Sequence, residues 1–336
     1  MPTYFVAWWN LENLFDEEDA EALGRRPEKV ARALGNSVSG WTPELRDRKI
    51  AQLATVVAGM NDGAGPDLLG VCEVENRFVV ERLRDQVNAT LPAPRRYEIV
   101  HADTDDARGI DVAFLYDAEL FTVPDPREES VFFHVVMRRN ATREIVQVTF
   151  VTAAGGRRLV VLGNHWPSRS GGRLESAGYR AIAGETLGYF HQRVVDILGA
   201  GTPVLVMGDF NDEPSDTSLV QHALSTRQSA KVLNARGRPL LWNLMWPAGG
   251  IPDGTFYFDN EPNVLDQILV NEPLIEPGAP WHVDAGSARI HKHPAMVDDG
   301  DYPKPVAFGG MGKPVDRDGF SDHFPVTAVL TETDPA

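Results

Sequence analysis

The sequence is poor in cysteine and in positive charge. Cys72 is the only cysteine among 336 residues, so no disulfide can form within the chain. A chain without disulfides is typical of a reducing compartment, and we expect a cytoplasmic protein. Lys and Arg number 32 against 48 Asp and Glu, which gives a net charge of −16. Bulk charge therefore does not favour a nucleic-acid partner, although a bound divalent cation or an arginine patch can reverse the field at one site.

Long hydrophobic runs and linker-like tracts are also missing. No stretch approaches the ~20 apolar residues that span a bilayer, and the first ten residues, MPTYFVAWWN, do not have the charged leader of a signal peptide. No repeat or composition shift divides the chain, so we predict one domain over residues 1–336. Hydrophobic residues make up 43% of the chain, enough for a substantial core, and we expect a monomer.

The segment 203–214, PVLVMGDFNDEP, contains the clearest pattern in the chain. The apolar run at 204–207 predicts a buried strand, which we expect Gly208 to end. Asp209 and Asn211 follow at once. Polar side chains at the carboxyl end of a buried strand mark the ligand sites of open α/β sheets, although Asp and Asn are also common turn residues. This segment alone leaves both interpretations open.

The same arrangement recurs along the chain, which favours a site. Acids, amides or histidines flank four further apolar segments: Asn10 after 3–9, Glu73 after 66–72, Asn164 and His165 after 158–163, and Asp322 and His323 before 326–330. A buried carboxylate is costly unless it is paired or bound to a cation, so Glu73 is the first candidate metal ligand. The alternative for this region is an acid at the N-terminus of the following helix, where it interacts favourably with the helix dipole. Asp266 lies within the apolar segment 264–270 and needs a partner, either a loop or a histidine.

The remaining segments give weaker signals. Six Arg and two Glu fall within 157–193, around the Gly-rich and Arg-rich loop 169–173, which suits a phosphate-rich substrate or a solvated helix face. Arg108 either faces the site or lies on the surface. Thr42 and Pro43 begin a helix that we predict to serve packing only. We expect the acidic run 16–19 to be a solvated surface and 275–320 to be a long irregular loop.

Taken together and in order, these motifs resemble the exonuclease-endonuclease-phosphatase superfamily, which has the deoxyribonuclease-I-like fold. The matching segments are WNLEN, GVCEVEN, GIDVAFLY, GNHWPS, GDFND, LDQILV and SDHFPV. GDFN and SDH are the most diagnostic, and the match is to bacterial members with an NHWPS-like segment and a Gly-Gly-Arg loop. The resemblance implies an α/β fold: a four-layer α/β sandwich, with two mixed β-sheets packed face to face, helices outside, and a site at one edge.

The resemblance also implies metal-dependent hydrolysis of a phosphate ester with Mg²⁺ or Mn²⁺. Glu73 would be the principal metal ligand, with Asn10 and Asp322 beside the metal. Asp209 would handle the attacking water or the leaving group. The implied phosphate-contacting residues are Asn211 and His165, and His323 would be a second catalytic imidazole, oriented by Asp266. Asn164, Ser168, Arg169 and Arg173 are the candidate substrate-binding residues.

These residue types suit the chemistry, because hard cations take carboxylate and amide oxygens and neutralise charge on a phosphate. The basic loop and the NHWPS segment favour a phosphodiesterase acting on nucleic acid, that is, a nuclease. A phosphomonoesterase and a lipid or inositol-phosphate phosphodiesterase of the same fold are the alternatives among enzymes. A catalytically inactive binding protein on this scaffold is the alternative from another class, and the complete set of acid, amide and His positions argues against it.

Overall fold

The computed structural model describes residues 1–104, 109–137, 143–246, 253–310 and 313–333. Arg108, which the sequence left as either a site or a surface residue, lies outside these ranges. None of the helices in the described ranges is both long and apolar enough to cross a lipid bilayer.

Strands make up most of the regular structure. In chain order they are β1 (Thr3–Leu14), β2 (Leu68–Val74), β3 (Tyr97–Val100), β4 (Asp111–Asp117), β5 (Phe121–Thr122), β6 (Val131–His134), β7 (Ile145–Thr152), β8 (Arg158–His165), β9 (Val204–Asp209), β10 (Ser225–Thr226), β11 (Leu241–Asn243), β12 (Phe256–Phe258), β13 (Glu261–Asn263), β14 (Asp266–Val270), β15 (Trp281–Ile290) and β16 (Val326–Glu332). The α-helices are α1 (Glu28–Leu34), α2 (Pro43–Gly59), α3 (Arg77–Thr90), α4 (Ala177–Leu198) and α5 (Ser229–Leu233). Shorter helical turns lie at Glu18–Ala20, Gly35–Val38, Asn61–Gly63, Arg127–Glu129, Ser218–His222, Glu272–Leu274 and Pro294–Met296.

Two large mixed sheets contain most of these strands. Within the described residues, the first sheet has the order β15-β16-β1-β2-β4-β3, and the second has the order β10-β11-β14-β9-β8-β7-β5, with β6 also paired to β7. The pairs β1–β2 and β8–β9 are parallel and lie near the centre of each sheet. Their flanking partners β16, β4, β14 and β7 run antiparallel to them. Each sheet therefore has a parallel pair at its centre with an antiparallel neighbour on either side, and the second sheet has another parallel pair, β10–β11, at one edge.

The sheets pack face to face, with helices on both outer faces. Along β1, Tyr4, Val6 and Trp8 belong to the core between the sheets, while Phe5, Ala7 and Trp9 belong to the core under α2 and α3. A third core joins the outer face of β8 and β9 to α4. Alternate side chains of a strand point to opposite faces, so a strand that is apolar at every position must be covered on both sides. The predicted four-layer sandwich is confirmed.

Some local predictions are confirmed and others are wrong. Helix α2 begins as expected: Pro43 is its first residue and the Thr42 hydroxyl accepts a hydrogen bond from the Leu45 amide at 3.3 Å. The segment expected to be irregular, 275–320, contains the ten-residue strand β15. β15 is an edge strand with one largely exposed face, so it does not have the apolar run that marks a central strand.

The acidic run 16–19 matches the expected solvated surface only in part, because Glu18 and Asp19 are exposed but Asp16 is not. Asp16 is fully buried, and its carboxylate accepts hydrogen bonds from the guanidinium groups of Arg25 and Arg46, at 2.8 and 3.0 Å. Glu75, the residue after β2, is also buried, and its Oε1 lies 2.7 Å from Arg26 Nε. Because each of these two acids is paired with an arginine, its carboxylate can be buried without leaving an unpaired charge.

Candidate active site

The polar strand ends of both sheets meet at one edge of the sandwich. The parallel pairs β1–β2 and β8–β9 end at this edge, and β14 and β16, which run antiparallel to them, begin there. A direct contact joins the two sheets, because the Asn10 amide donates a hydrogen bond to Asp209 Oδ2 at 3.0 Å. A second approach is between His165 Nε2 and Glu73 Oε1, at 3.6 Å. The edge location expected for the site is therefore where these side chains converge.

Asp209 lies at the centre of this convergence. The strand β9 continues through Gly208 to Asp209, so Gly208 does not end it as the sequence suggested. A Cβ at position 208 would lie 2.5 Å from the Asn164 Cβ, so glycine is what allows β8 and β9 to pair this closely. Asp209 is 1% exposed and accepts hydrogen bonds from the Asn211 backbone at 2.9 Å and the Asn211 side chain at 3.1 Å. Asn211 has a left-handed backbone, with φ of 52°, which turns the chain back over the carboxylate.

The pKa of Asp209 is raised to about 7, mainly by burial and further by the negative charge of Asp266. The hydrogen bonds from Asn10 and Asn211, and the positive charge of His323, act in the opposite direction. A carboxyl group with a pKa near neutrality can both accept and release a proton at physiological pH. Asp209 is thus suited to acid–base chemistry.

His323 and Asp266 form a buried pair. His323 Nδ1 lies 2.6 Å from Asp266 Oδ2, so the predicted contact between these two residues is present. Asp266 is the first residue of β14 and pairs across the sheet with Asp209, rather than lying inside the strand. Burial lowers the pKa of His323, but the carboxylates of Asp266 and Asp209 outweigh it, and the pKa is raised well above its ordinary value. The imidazole is therefore held as a cation beside Asp209.

Glu73 lies in a β-bulge that directs its side chain into the site. Cys72 pairs with Val112 and Val74 with Asp111, which leaves Glu73 as the extra residue of β2, with φ of 62°. A left-handed residue other than glycine costs about 1–3 kcal/mol, and such residues cluster at functional sites. The Glu73 carboxylate accepts a hydrogen bond from the Asn13 backbone at 2.9 Å, and its other oxygen faces His165.

Glu12 is a site residue that sequence reasoning missed. The first strand does not stop at 9 as expected but runs to Leu14, with left-handed residues at Glu12 and Asn13. Glu12 is buried, and one carboxylate oxygen accepts a hydrogen bond from the Phe308 amide at 2.7 Å. The other, Oε1, has no hydrogen-bond partner among the described residues. Burial and the nearby charge of Asp322 raise the pKa of Glu12.

Lys49 corrects the expectation that α2 serves packing only. Its side chain is fully buried and its ammonium group donates a hydrogen bond to the Glu12 backbone carbonyl. Burial lowers its pKa to about 8, although the carboxylates of Glu12, Asp322 and Glu73 act in the opposite direction. The sequence signal for this role was a lysine on the apolar side of a helix. Lysine is almost never fully buried without an ionic partner, so its position indicates acids nearby.

The first-sheet carboxylates are candidate ligands for a hard divalent cation. Glu12, Glu73 and Asp322 lie within electrostatic range of Lys49, and Glu12 Oε1 is a buried oxygen with unused lone pairs. Oxygen-rich sets of this kind hold Mg²⁺ or Mn²⁺. Asp209, Asp266 and His323 also present ligand atoms within 4.8 Å of one another. The short bond between Asp266 and His323 uses one atom of each, and Asp266 Oδ1 has no hydrogen-bond partner among the described residues, so this cluster is also a candidate.

His165 is held by an arginine that the sequence did not single out. Arg143 is buried, and its guanidinium lies 3.1 Å from His165 Nδ1 and 2.8 Å from His165 Nε2, while also donating to the Trp166 carbonyl at 3.0 Å. A cation next to this ring brings positive charge to the place where the resemblance puts a phosphate. No local sequence signal marks Arg143, because it precedes an ordinary strand, β7.

Asn164 is turned away from this cluster. Its side chain is fully buried on the α4 face of β8, where the amide donates to the Leu162 carbonyl at 3.0 Å and accepts from the Trp166 indole at 3.1 Å. Neighbouring residues of a strand face opposite sides, so Asn164 and His165 cannot both enter the site. This placement disagrees with the substrate-binding role expected for Asn164.

The arginines of the Gly-rich loop are already paired. Arg169 donates to the Asn211 carbonyl at 2.6 Å and contacts Asp212 and Asp216, while Arg173 contacts Asp216 at 2.8 Å. Arg169 thereby braces the loop that carries Asn211. Ser168 is half-buried, and its hydroxyl accepts a hydrogen bond from the Ser170 amide at 3.2 Å. The structure thus places these three residues beside the site, but with their charges and hydrogen bonds largely satisfied within the protein.

Comparisons with known proteins agree with this fold. The structure is similar to an endonuclease/exonuclease/phosphatase family protein from Bacteroides thetaiotaomicron (TM-score 0.57, 15% identity, 99% of each chain covered). It is also similar to a mannosyl-6-phosphatase from the same organism (TM-score 0.54, 17% identity, 98% of this chain and 99% of that one). A third similar structure is the human Nocturnin catalytic domain (TM-score 0.53, 16% identity, 99% of this chain and 95% of that one).

These likenesses show the fold. A search of curated proteins found no match to the sequence. The sequence profile of one family matches residues 5–332, nearly the whole chain. The chain therefore belongs to the endonuclease/exonuclease/phosphatase family, whose members are hydrolases of phosphate esters.

Proposed function

We propose that this protein is a divalent-metal-dependent phosphodiesterase that cleaves nucleic acid. The observation that carries the proposal is the convergence, at one edge, of a near-neutral Asp209, the buried His323–Asp266 pair and the carboxylates of Glu12, Glu73 and Asp322. A phosphodiester is anionic and repels an attacking hydroxide, so catalysis needs both positive charge and a positioned base. We infer that one domain, acting as a cytoplasmic monomer, supplies all of these groups.

The metal would be held by Glu12, Glu73 and Asp322, with Asn10 beside it. When bound, Mg²⁺ or Mn²⁺ supplies positive charge at the non-bridging oxygens of the phosphate. Lys49 adds a fixed positive charge beneath the same carboxylates. Without these cations, several neighbouring acids could not stay ionised together in a buried site.

The acid–base work falls to residues of the second sheet. In its ionised form, Asp209 accepts a proton from the attacking water and fixes the water for in-line displacement, while Asn10 and Asn211 hold the carboxylate in one orientation. His323, kept protonated by Asp266, stabilises negative charge that develops on the phosphate. His165, with Arg143 at its ring, and Asn211 form the remaining polar wall toward the phosphate.

A phosphomonoester is the second candidate substrate, and one observation favours it. Arg169 and Arg173 are neutralised by Asp212 and Asp216, so the loop offers little charge for a long phosphate backbone. The similar structure of a mannosyl-6-phosphatase points the same way. A nuclease needs several phosphate contacts, whereas a monoesterase needs positive charge only at the reacting group.

A turnover screen separates these functions. Supercoiled plasmid DNA, single-stranded RNA, bis(p-nitrophenyl) phosphate and mannose 6-phosphate are each incubated with Mg²⁺, with Mn²⁺ and after exhaustive chelation, with Asp209→Asn as the inactive control. We expect metal-dependent cleavage of DNA or RNA. Release of phosphate from the monoester alone would select the second candidate, and full activity after chelation would refute metal-dependent hydrolysis.

A further inference from the structure

A second cluster of metal-ligating side chains lies on the first sheet, outside the active site described above. His101 follows the last residue of β3, and Asp111 is the first residue of the antiparallel strand β4, so both lie at the same end of the sheet. Asp103 lies between them in sequence. One ligand atom from each of the three residues falls within 4.8 Å of the other two. None of the three belongs to the catalytic set.

The histidine gives evidence of a missing ligand that is independent of the acids. The His101 side chain is 1% exposed, and its Nε2 has no hydrogen-bond partner among the described residues. Nε2 points toward Asp111 Oδ2 but stays 3.5 Å away, longer than the 2.7–3.2 Å of a hydrogen bond to oxygen. A buried imidazole nitrogen without a partner is costly, so this gap requires an explanation.

One of the two carboxylates near this nitrogen is pre-oriented. Asp111 is buried, and its Oδ1 accepts hydrogen bonds from the amide and the hydroxyl of Thr104, which leaves Oδ2 directed at His101. Asp103 is exposed, so its carboxylate can approach from the solvent side. Partial burial and the charge of Asp111 raise the pKa of Asp103, as expected for two carboxylates that share one place.

We propose that His101, Asp103 and Asp111 form a second divalent-metal site that prefers Zn²⁺ to Mg²⁺. Two ligands at about 2.1 Å from a tetrahedral zinc stand about 3.4 Å apart, which matches the 3.5 Å gap between His101 and Asp111. A mixed nitrogen and oxygen set suits Zn²⁺, whereas Mg²⁺ requires near-octahedral oxygen coordination. With three protein ligands, at least one coordination position stays open to water or to an anionic ligand.

The site would connect to the catalytic edge through the backbone. Asp111 pairs with Val74, the residue after the bulged Glu73, so a metal on Asp111 would fix the strand against which this bulge forms. The bound ion would join the end of β3 to the start of β4. The position therefore suits a structural or positioning cation next to the reaction centre rather than a copy of the catalytic one.

The test measures Zn²⁺ binding by calorimetry to chelator-treated protein in excess Mg²⁺, which fills the oxygen-rich site. Wild-type protein should bind one more equivalent of Zn²⁺ than His101→Ala, and Asp103→Asn should weaken this binding at least about tenfold. Asp103 is exposed, so this variant should fold even if His101→Ala does not. His282→Ala, which removes an exposed histidine on β15, is the matched control and should bind like the wild type.

Two further readouts identify the ligand. Zn²⁺ should shift one pair of imidazole ¹⁵N resonances in the wild type, and that pair should be absent from His101→Ala. Zn²⁺ should also raise the melting temperature of the wild type more than that of Asp103→Asn. Equal Zn²⁺ stoichiometry and affinity in the wild type and Asp103→Asn, or loss of binding in His282→Ala, would overturn the proposal.

Discussion

The pairing of His323 with Asp266 makes a quantitative prediction for Asp266→Asn. The replacement keeps the shape of the side chain and its ability to accept a hydrogen bond from His323 Nδ1, but removes the negative charge. In the wild type the two atoms are 2.6 Å apart in a fully buried place. The pKa of His323 should therefore fall, because burial would no longer be opposed by its nearest anion.

The size of the effect follows from the geometry. A hydrogen bond to a charged group contributes about 1.5–3 kcal/mol, and about 1.36 kcal/mol corresponds to a tenfold change in proton affinity. The pKa of His323 should thus fall by about 1 to 2 pH units, with the negative charge of Asp209 still acting on the ring. The alkaline limb of kcat/KM, where the imidazolium is lost, should move down by the same amount.

Stability should change with a defined sign. The folded pKa of His323 lies above the unfolded value of 6.5, so its contribution is fully present below pH 6.5 and is lost as the pH rises through the folded value. Asp266→Asn should therefore lower the free energy of unfolding most below pH 6.5. The difference from the wild type should shrink at higher pH.

Ring titration by NMR and denaturant melts at several pH values test this reasoning. Asp117→Asn is the control. Asp117 is a buried acid at the end of β4 that lies away from the active site, and it pairs with Arg95 rather than with a histidine. It should leave the His323 titration unchanged. If Asp266→Asn also leaves the titration and the alkaline limb in place, Asp266 acts only as a structural acid and the pairing argument fails.

Three other predictions concern the phosphate side of the site. Asp209→Asn should lower kcat by on the order of 10²–10⁴ with the fold intact. The kcat/KM of the wild type should rise as the pH passes about 7, where Asp209 ionises. If the Asp209→Asn variant keeps near wild-type turnover, Asp209 is only a turn residue. Arg143→Ala should raise KM by about tenfold (~1.4 kcal/mol) through loss of a charged hydrogen bond at His165. Arg143→Lys should not restore it, because lysine lacks the planar fork, and full rescue by lysine would contradict this reading. Replacing Arg169 and Arg173 together by Ala should raise KM, because Arg169 braces the loop that carries Asn211. The dependence of KM on salt should change little, because both arginines are paired with acids, and a clearly flatter dependence would mean that they contact a polynucleotide.

The strand-end motifs were predictable because they are local. Asp209, Asp266 and His323 each lie next to a short apolar segment, and strand polarity then brings such ends to one edge. The contact between Asp266 and His323 could be expected because an acid among apolar residues needs a partner. The layer order was implied only by the resemblance, and it agrees with β1, which is apolar at successive positions and covered on both faces.

The missed residues depend on contacts that sequence spacing does not encode. Glu12 lies beyond the predicted end of the first strand, where the backbone turns left-handed and the pairing register of β1 with β2 shifts. Lys49 lies one helical turn before Leu53 on the buried side of α2, but its burial depends on the carboxylates that face it. Asn164 and His165 are a different case, because the two-residue period of β8 alone places them on opposite faces and could have separated them.

Because the site is divided between two sheets, the packing of the hydrophobic core between them affects catalysis. Glu12 and Glu73 belong to one sheet and Asp209 to the other, so the side chains packed between the sheets act as a spacer that sets their separation. Removing volume from this spacer, for example by Phe114→Ala, should let the sheets shift and misalign metal ligands and base before the protein unfolds. On warming, turnover should then fall at a lower temperature than secondary structure, because small displacements suffice to disrupt positioning.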